Sequence, residues 1–375
     1  MHYGGTTTLP VLVPSLVPAH QTATAVPISM AMAMAMAAKH TSLFLHATWR
    51  SASTYIWETF RSFDAYYAYH EPFHEHLATA DDEFTSDYFI SSGWRHPKLS
   101  NPYFLEYKPL LTTQGVAGYR DSFSVKNYFC NQDELLRDQK EYIARLLFEA
   151  DIRDRMAVLG FCCSSGRVEW MKRQFPDALH VLVVRNWIQQ WTSSLDQHMH
   201  NDNPYFLVMP LACLAAAEHD ILAMAVRDKL GVPRIDTFTF EQCYLHAKDI
   251  ALAAPIERLF SCFVAFQLLS FIRARPYADI VLDVNMLASD RRYTEQVVDY
   301  LGGYLPAVPD FNDAAESDLE QLDVPFSMEE VVRDVVQLFD TVGKSLSESS
   351  VVLQSGDRTP AWSEAVKRLS TAITG

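Results

Sequence analysis

Short apolar runs, each followed by polar text and then by a helical pattern, constrain this chain more than any other feature. Ser42-Leu-Phe-Leu-His-Ala47, residues 65–69, residues 156–161, His180-Val-Leu-Val-Val184 and Ile280-Val-Leu-Asp-Val284 each read as a strand. They are unbroken rather than alternating, which is the pattern of strands buried on both faces. Helical text separates them. Residues 54–63 place Ile56, Trp57 and Phe60 on one side. Asn131 is read as the cap of a helix running to residue 150, with Leu135, Leu136, Ile143 and Leu147 as its apolar face. Residues 167–175, a helix beginning near Trp187, and Ala/Leu-rich text from 207 to 272 complete the middle of the chain. Asp290 is placed to cap a helix reaching Leu301, and Gly302-Gly303 to stop it. This alternation predicts an α/β fold, a central parallel sheet flanked by helices. Ligands bind such sheets beyond the carboxyl ends of the strands, so the residues directly after each strand are the candidates.

Charge narrows the ligand. The chain has 31 Lys and Arg against 46 Asp and Glu, a net charge of -15, which argues against a nucleic-acid or anionic-membrane surface. A small anion held by a few local cations stays open. The six cysteines form no CxxC pair and read as reduced thiols of a cytoplasmic protein. No apolar run is long enough to cross a membrane; residues 207–217 are short and carry Pro210. Residues 1–39 are Ala/Met/Pro-rich, with no Lys or Arg before Lys39, and read as a disordered or mis-started extension, with a targeting segment as the alternative. The expected organisation is that extension, a domain over 40–305, and an acidic helical segment over 306–375 packing on it. Residues 78–128 are aromatic and aperiodic, as in a long loop over a site. There Trp94, Tyr103, Tyr107 and Tyr119 suit sugars or phenols, or simply packing.

Three stretches carry chemistry. After the first strand comes Ala47-Thr-Trp-Arg-Ser-Ala-Ser-Thr-Tyr55. A strand, a polar loop and a helix make an anion cradle: backbone N–H groups and the helix dipole face a phosphate, while Arg50, Ser51, Ser53 and Thr54 add charge and hydroxyls. It lacks the GxxxxGK[ST] of a nucleotide-triphosphate loop. Taken alone, it reads equally as an ordinary Ser/Thr helix cap. After the fourth strand, Arg185 is followed two helical turns later by Ser193. Beyond the second strand lies Tyr69-His-Glu-Pro-Phe-His-Glu-His76, which contains a literal HExxH at His70, Glu71 and His74. A zinc hydrolase needs both histidines on one helix, which Pro72 opposes. A solvated His/Glu turn is the other plain reading.

In order along residues 42–302, these stretches resemble the sulfotransferases that use 3'-phosphoadenosine 5'-phosphosulfate (PAPS). The loop after strand one resembles that family's [KR]SGxT-like motif, and Arg185 with Ser193 its strand-Arg-Ser motif. Val158-Leu-Gly-Phe-Cys-Cys followed by Arg167 and Phe175-Pro176, and the late strand-turn-helix from Ile280 to Gly302, match as well. The likeness is closer to carbohydrate, tyrosylprotein and bacterial members than to the phenol type. It implies a P-loop NTPase-like sulfotransferase fold, PAPS as sulfuryl donor, no metal, and a small-molecule or glycan acceptor, with a non-catalytic nucleotide-binding protein of the same fold as the alternative. It further implies that Arg50, Ser51, Ala52, Ser53 and Thr54 hold the 5'-phosphosulfate. Tyr55 would stack on adenine, and Arg185 and Ser193 would hold the 3'-phosphate. Glu71 would be the general base, with His70 and His74 as substitutes. Ala52 stands where the family has Gly, and Asn186-Trp187 where Asp-Pro is common.

Overall fold

In the computed structural model, residues 41–88, 99, 101–236, 239–314, 323–348 and 359–374 are described. The extension assigned to residues 1–39, and Trp94, lie outside them. Five parallel strands form the central sheet: β1 (Ser42–His46), β2 (Tyr66–His70), β5 (Met156–Phe161), β6 (Ala178–Val184) and β7 (Ile280–Asp283), in the order β2-β5-β1-β6-β7. Two short strands, β3 (Leu111–Thr112) and β4 (Gly115–Val116), pair apart from it. Every residue of β1 and β6 is buried, as unbroken apolar runs require.

The first helix, α1 (Ser53–Arg61), buries Ile56, Trp57 and Phe60 against β2 and β5, the face its spacing predicts. Gly160 permits this approach: a Cβ there would lie 2.9 Å from the Trp57 ring. Among the described residues, those between 78 and 128 do not form an open loop. They contain α2 (Asp82–Asp87) and a 3-10 helix over Leu105–Leu110. Tyr103, Phe104 and Tyr107 are buried there, and Tyr119 donates from its hydroxyl to the Phe73 carbonyl, so these tyrosines pack.

The next helix, α3, spans Arg137–Asp151 and buries Gln139, Tyr142, Ile143, Leu146 and Ala150; Leu135 is exposed. Asn131 does not cap it. Its side chain instead accepts from Trp170 N and donates to the Gly166 carbonyl, tying the start of α4 (Val168–Gln174). A helical layer follows: α5 (Trp187–Asn201), α6 (Tyr205–Ala215), α7 (Ile221–Lys229), α8 (Phe240–Ala253) and α9 (Ile256–Ala274). From Leu259 onward α9 is buried almost throughout, packed against α5 and α6 among other elements. After β7 come α10 (Val284–Ser289) and α11 (Arg291–Gly302), the latter capped by Asp290. Two further helices, α12 (Met328–Glu348) and α13 (Thr359–Thr374), pack on α9. Arg368 of α13 reaches Asp283 at 2.7 Å, tying this segment to the end of β7. All described residues belong to one compact unit, Ala38–Gly375. Among them no helix is long and apolar enough to cross a membrane.

A buried polar relay lies under the first loop. His180 Nε2 meets the Phe175 carbonyl at 3.0 Å, so that nitrogen carries the proton. His180 Nδ1 therefore accepts from His46 Nε2 at 3.0 Å, and His46 Nδ1 accepts from the Ser164 hydroxyl at 2.7 Å. Both imidazoles are neutral in this arrangement. Burial, with a smaller contribution from His180, pushes the His46 pKa well down.

Candidate active site

The carboxyl ends of all five strands open on one cavity of about 500 Å³. β1 sends Trp49, Arg50 and Ala52 to its wall, β2 sends Glu71, β5 sends Cys162, β6 sends Arg185 and β7 sends Val284. Ser53, Thr54 and Tyr55 of α1, Phe206 of α6, and Asp313 with Ala314 complete it. Connections leave β1 and β6 toward opposite edges of the sheet, which opens a crevice between them. Its volume suits a small molecule.

The β1 loop is held in an unusual shape. Arg50 and Ala52 have left-handed backbones, φ 62° and 63°. Thr48 anchors the loop by donating to Gln190 and Gln267 at 3.1 Å, and Ser51 donates back to the Thr48 carbonyl at 2.7 Å. Ala52 is the N-cap of α1, and no side chain caps that helix. The ordinary Ser/Thr cap is therefore not formed, and the N–H end of α1 faces the cavity.

The two cations converge. Arg185 donates from Nη1 to the Arg50 carbonyl at 3.0 Å and from Nε to Gln189 at 3.2 Å. Burial pushes its pKa down. Arg50 donates from Nε to the Ser193 hydroxyl at 2.8 Å and lies 4.9 Å over the Phe206 ring. Ser193 is thus buried behind Arg50 and does not line the cavity. Ser51 is also buried, turned into the loop. Asn186 caps α5, accepting from Ile188 and Gln189, so it closes the helix entry by a side-chain bond.

Glu71 is the third left-handed residue on the wall, φ 41°. Its N–H donates to the Gly160 carbonyl at 2.7 Å, turning the chain sharply off β2. Burial raises its carboxyl pKa, and Glu75 adds to this, while His74 and a bond with Cys162 oppose it. Cys162 lies 3.1 Å from the Ser53 hydroxyl, and burial holds it as a thiol. His70 is the last residue of β2. Its ring is buried among Trp57, Tyr103 and Phe104, 3.7 Å from Glu71, and does not line the cavity. His74 is the N-cap of the 3-10 helix Glu75–Ala78. His70, Glu71 and His74 therefore share no helix, and the zinc-hydrolase presentation of HExxH is not formed.

Of the residues expected from sequence, the cavity collects Arg50, Ala52, Ser53, Thr54, Tyr55, Glu71 and Arg185. Cys162 and Val284 were legible in principle, being the first residues beyond their strands. Trp49 stands within the quoted loop. Phe206 and Asp313 carried no signal. Asp313 arrives with the segment after α11, where the Tyr55 hydroxyl donates to it at 2.6 Å. Comparison with protein-family models, with curated proteins and with solved structures finds no match for this chain.

Proposed function

We propose that this chain is a PAPS-dependent sulfotransferase of P-loop-like fold, moving a sulfuryl group to a hydroxyl of a small-molecule or glycan acceptor. One observation carries the reading: a single cavity joins an uncapped helix N-terminus, Arg50 and Arg185 to the carboxylate of Glu71. The first three bind anions; the last takes a proton.

The residues fit a nucleotide bearing two anionic groups. Arg50 and the α1 terminus would hold the 5'-phosphosulfate, with Ser53 and Thr54 beside them. Arg185 would hold the 3'-phosphate, and the Tyr55 ring would flank the base. Ser193 acts through Arg50, fixing its guanidinium. In the transfer, the acceptor oxygen forms a bond to sulfur as the sulfur–oxygen bond to the donor phosphate breaks. Glu71 takes the acceptor proton, and Arg50 stabilises negative charge on the departing phosphate oxygen. The product is a sulfate ester and adenosine 3',5'-bisphosphate.

The test is calorimetry with adenosine 3',5'-bisphosphate in chelator, beside AMP. Clear preference for the bisphosphate is expected. Equal affinity for the two removes the 3'-phosphate role of Arg185, and binding of neither removes the reading.

A further inference from the structure

Outside the cavity, the 3-10 helix after β2 gathers metal-ligating side chains that the transfer reaction does not use. We propose that His74, Glu75 and His76 form a site for a first-row divalent ion of the zinc class. One donor atom from each lies within 4.8 Å of the others. His74 Nδ1 is 3.8 Å from Glu75 Oε2. Ligands at about 2.0–2.1 Å around a tetrahedral ion are about 3.4 Å apart, so a small closure completes the shell. Two imidazoles and a carboxylate form a zinc-type donor set that leaves a position open.

The surroundings orient these donors. Tyr205 donates to Glu75 Oε1 at 3.0 Å, leaving Oε2 toward His74. On the far side of the His74 ring, Nε2 lies 3.9 Å from Glu71 Oε2. A carboxylate behind an imidazole favours the proton on that nitrogen and turns the other lone pair toward a metal. Nδ1 carries that lone pair and spends it on the His76 N–H at 3.2 Å, a capping bond that the ion displaces when it binds. The His76 ring is set 5.0 Å from that of His74 and packs on Phe84 and Tyr88. Glu75 is buried, His74 half-buried and His76 exposed, so an ion enters past His76. The site shares only His74 with the HExxH text.

The experiment uses full-length protein stripped by chelator and titrated with Co²⁺, read by visible d–d absorption, then with Zn²⁺ as competitor. Wild type should bind one Co²⁺ and release it to Zn²⁺. H76A, at an exposed position, should lose the bands, as should E75Q. Y205F should bind about 10–100-fold more weakly. H246A, a histidine elsewhere on the surface, should match wild type. No d–d bands in wild type, or H76A binding as tightly as wild type, overturns the site. Bisphosphate binding measured on the same metal-free protein tests the transferase reading separately.

Discussion

Arg167 and Arg185 both stand beyond the carboxyl ends of strands, one after β5 and one after β6, yet their surroundings are opposite. Arg167 is fully buried. Its guanidinium donates to Gln139 at 2.7 Å, to the Ser124 carbonyl at 2.9 Å and to the Cys163 carbonyl at 2.8 Å, and lies 4.6 Å over the Phe73 ring. Burial lowers its pKa to about 10. It clamps the β5 turn to α3 and to the chain near residue 124. Arg185 is held from behind by Gln189 and the Arg50 carbonyl, with the cavity before it. Arg167 spends its donors on neutral protein acceptors; Arg185, fixed at its back, fronts the cavity in which the proposed reading puts the bisphosphate. The residue type is the same, and only the surroundings divide the roles.

The largest effect should fall on the cavity side. E71Q keeps the shape and removes the base, so it should lower turnover by roughly 10²–10⁴-fold with bisphosphate affinity nearly intact. Steady-state kinetics beside calorimetry would check this; normal turnover in E71Q would return the base to another residue. The two arginines then separate in one paired measurement. R167A leaves buried acceptors unmet and a void, and should cost about 3 kcal/mol or more in urea denaturation. R185A should leave the denaturation midpoint nearly unchanged while weakening bisphosphate binding by about 1.5–3 kcal/mol. Loss of stability in R185A, or of binding alone in R167A, would break the comparison.

A smaller effect concerns the buried relay. An unfolded histidine takes a proton near pH 6.5. Folded His46 resists that proton, its pKa being pushed well down by burial and by His180. The stability it supports is present above about pH 6.5 and declines as pH falls further, by up to about 1.4 kcal/mol per pH unit. Comparing H46Q with wild type across that range isolates this slope, since the other titrating groups are shared. An identical slope in both would show that His46 does not carry it. The smallest effect is expected at Ala52. A left-handed alanine is strained, and glycine relieves this at some cost in chain entropy. A52G should therefore gain about 0.5–1 kcal/mol and keep bisphosphate binding.

Much of the scaffold was legible because it is local. The strands announced themselves as apolar runs, α1 by its spacing, and α11 by the Asp290 cap. Local rules also erred where a distant partner prevailed. Asn131 had the chemistry of a cap, yet its amide spans Gly166 and Trp170. Ser193 is a separate case: its hydroxyl accepts from Arg50 and keeps its own proton to donate. The tyrosines between residues 100 and 120 read as site lining or packing, and the aromatic core claimed them.

The residue sequence alone determined that strands alternate with helices, and that each strand ends in polar or reactive text. Periodicity and turn chemistry act over a few residues, so they are readable without a partner. Strand order is different: backbone hydrogen bonds between strands are indifferent to side-chain identity, and helix packing over the sheet selects the neighbours. Only that packing brought Arg50, Glu71 and Arg185 to one cavity, set Asp313 against Tyr55, and sealed Arg167 away from water.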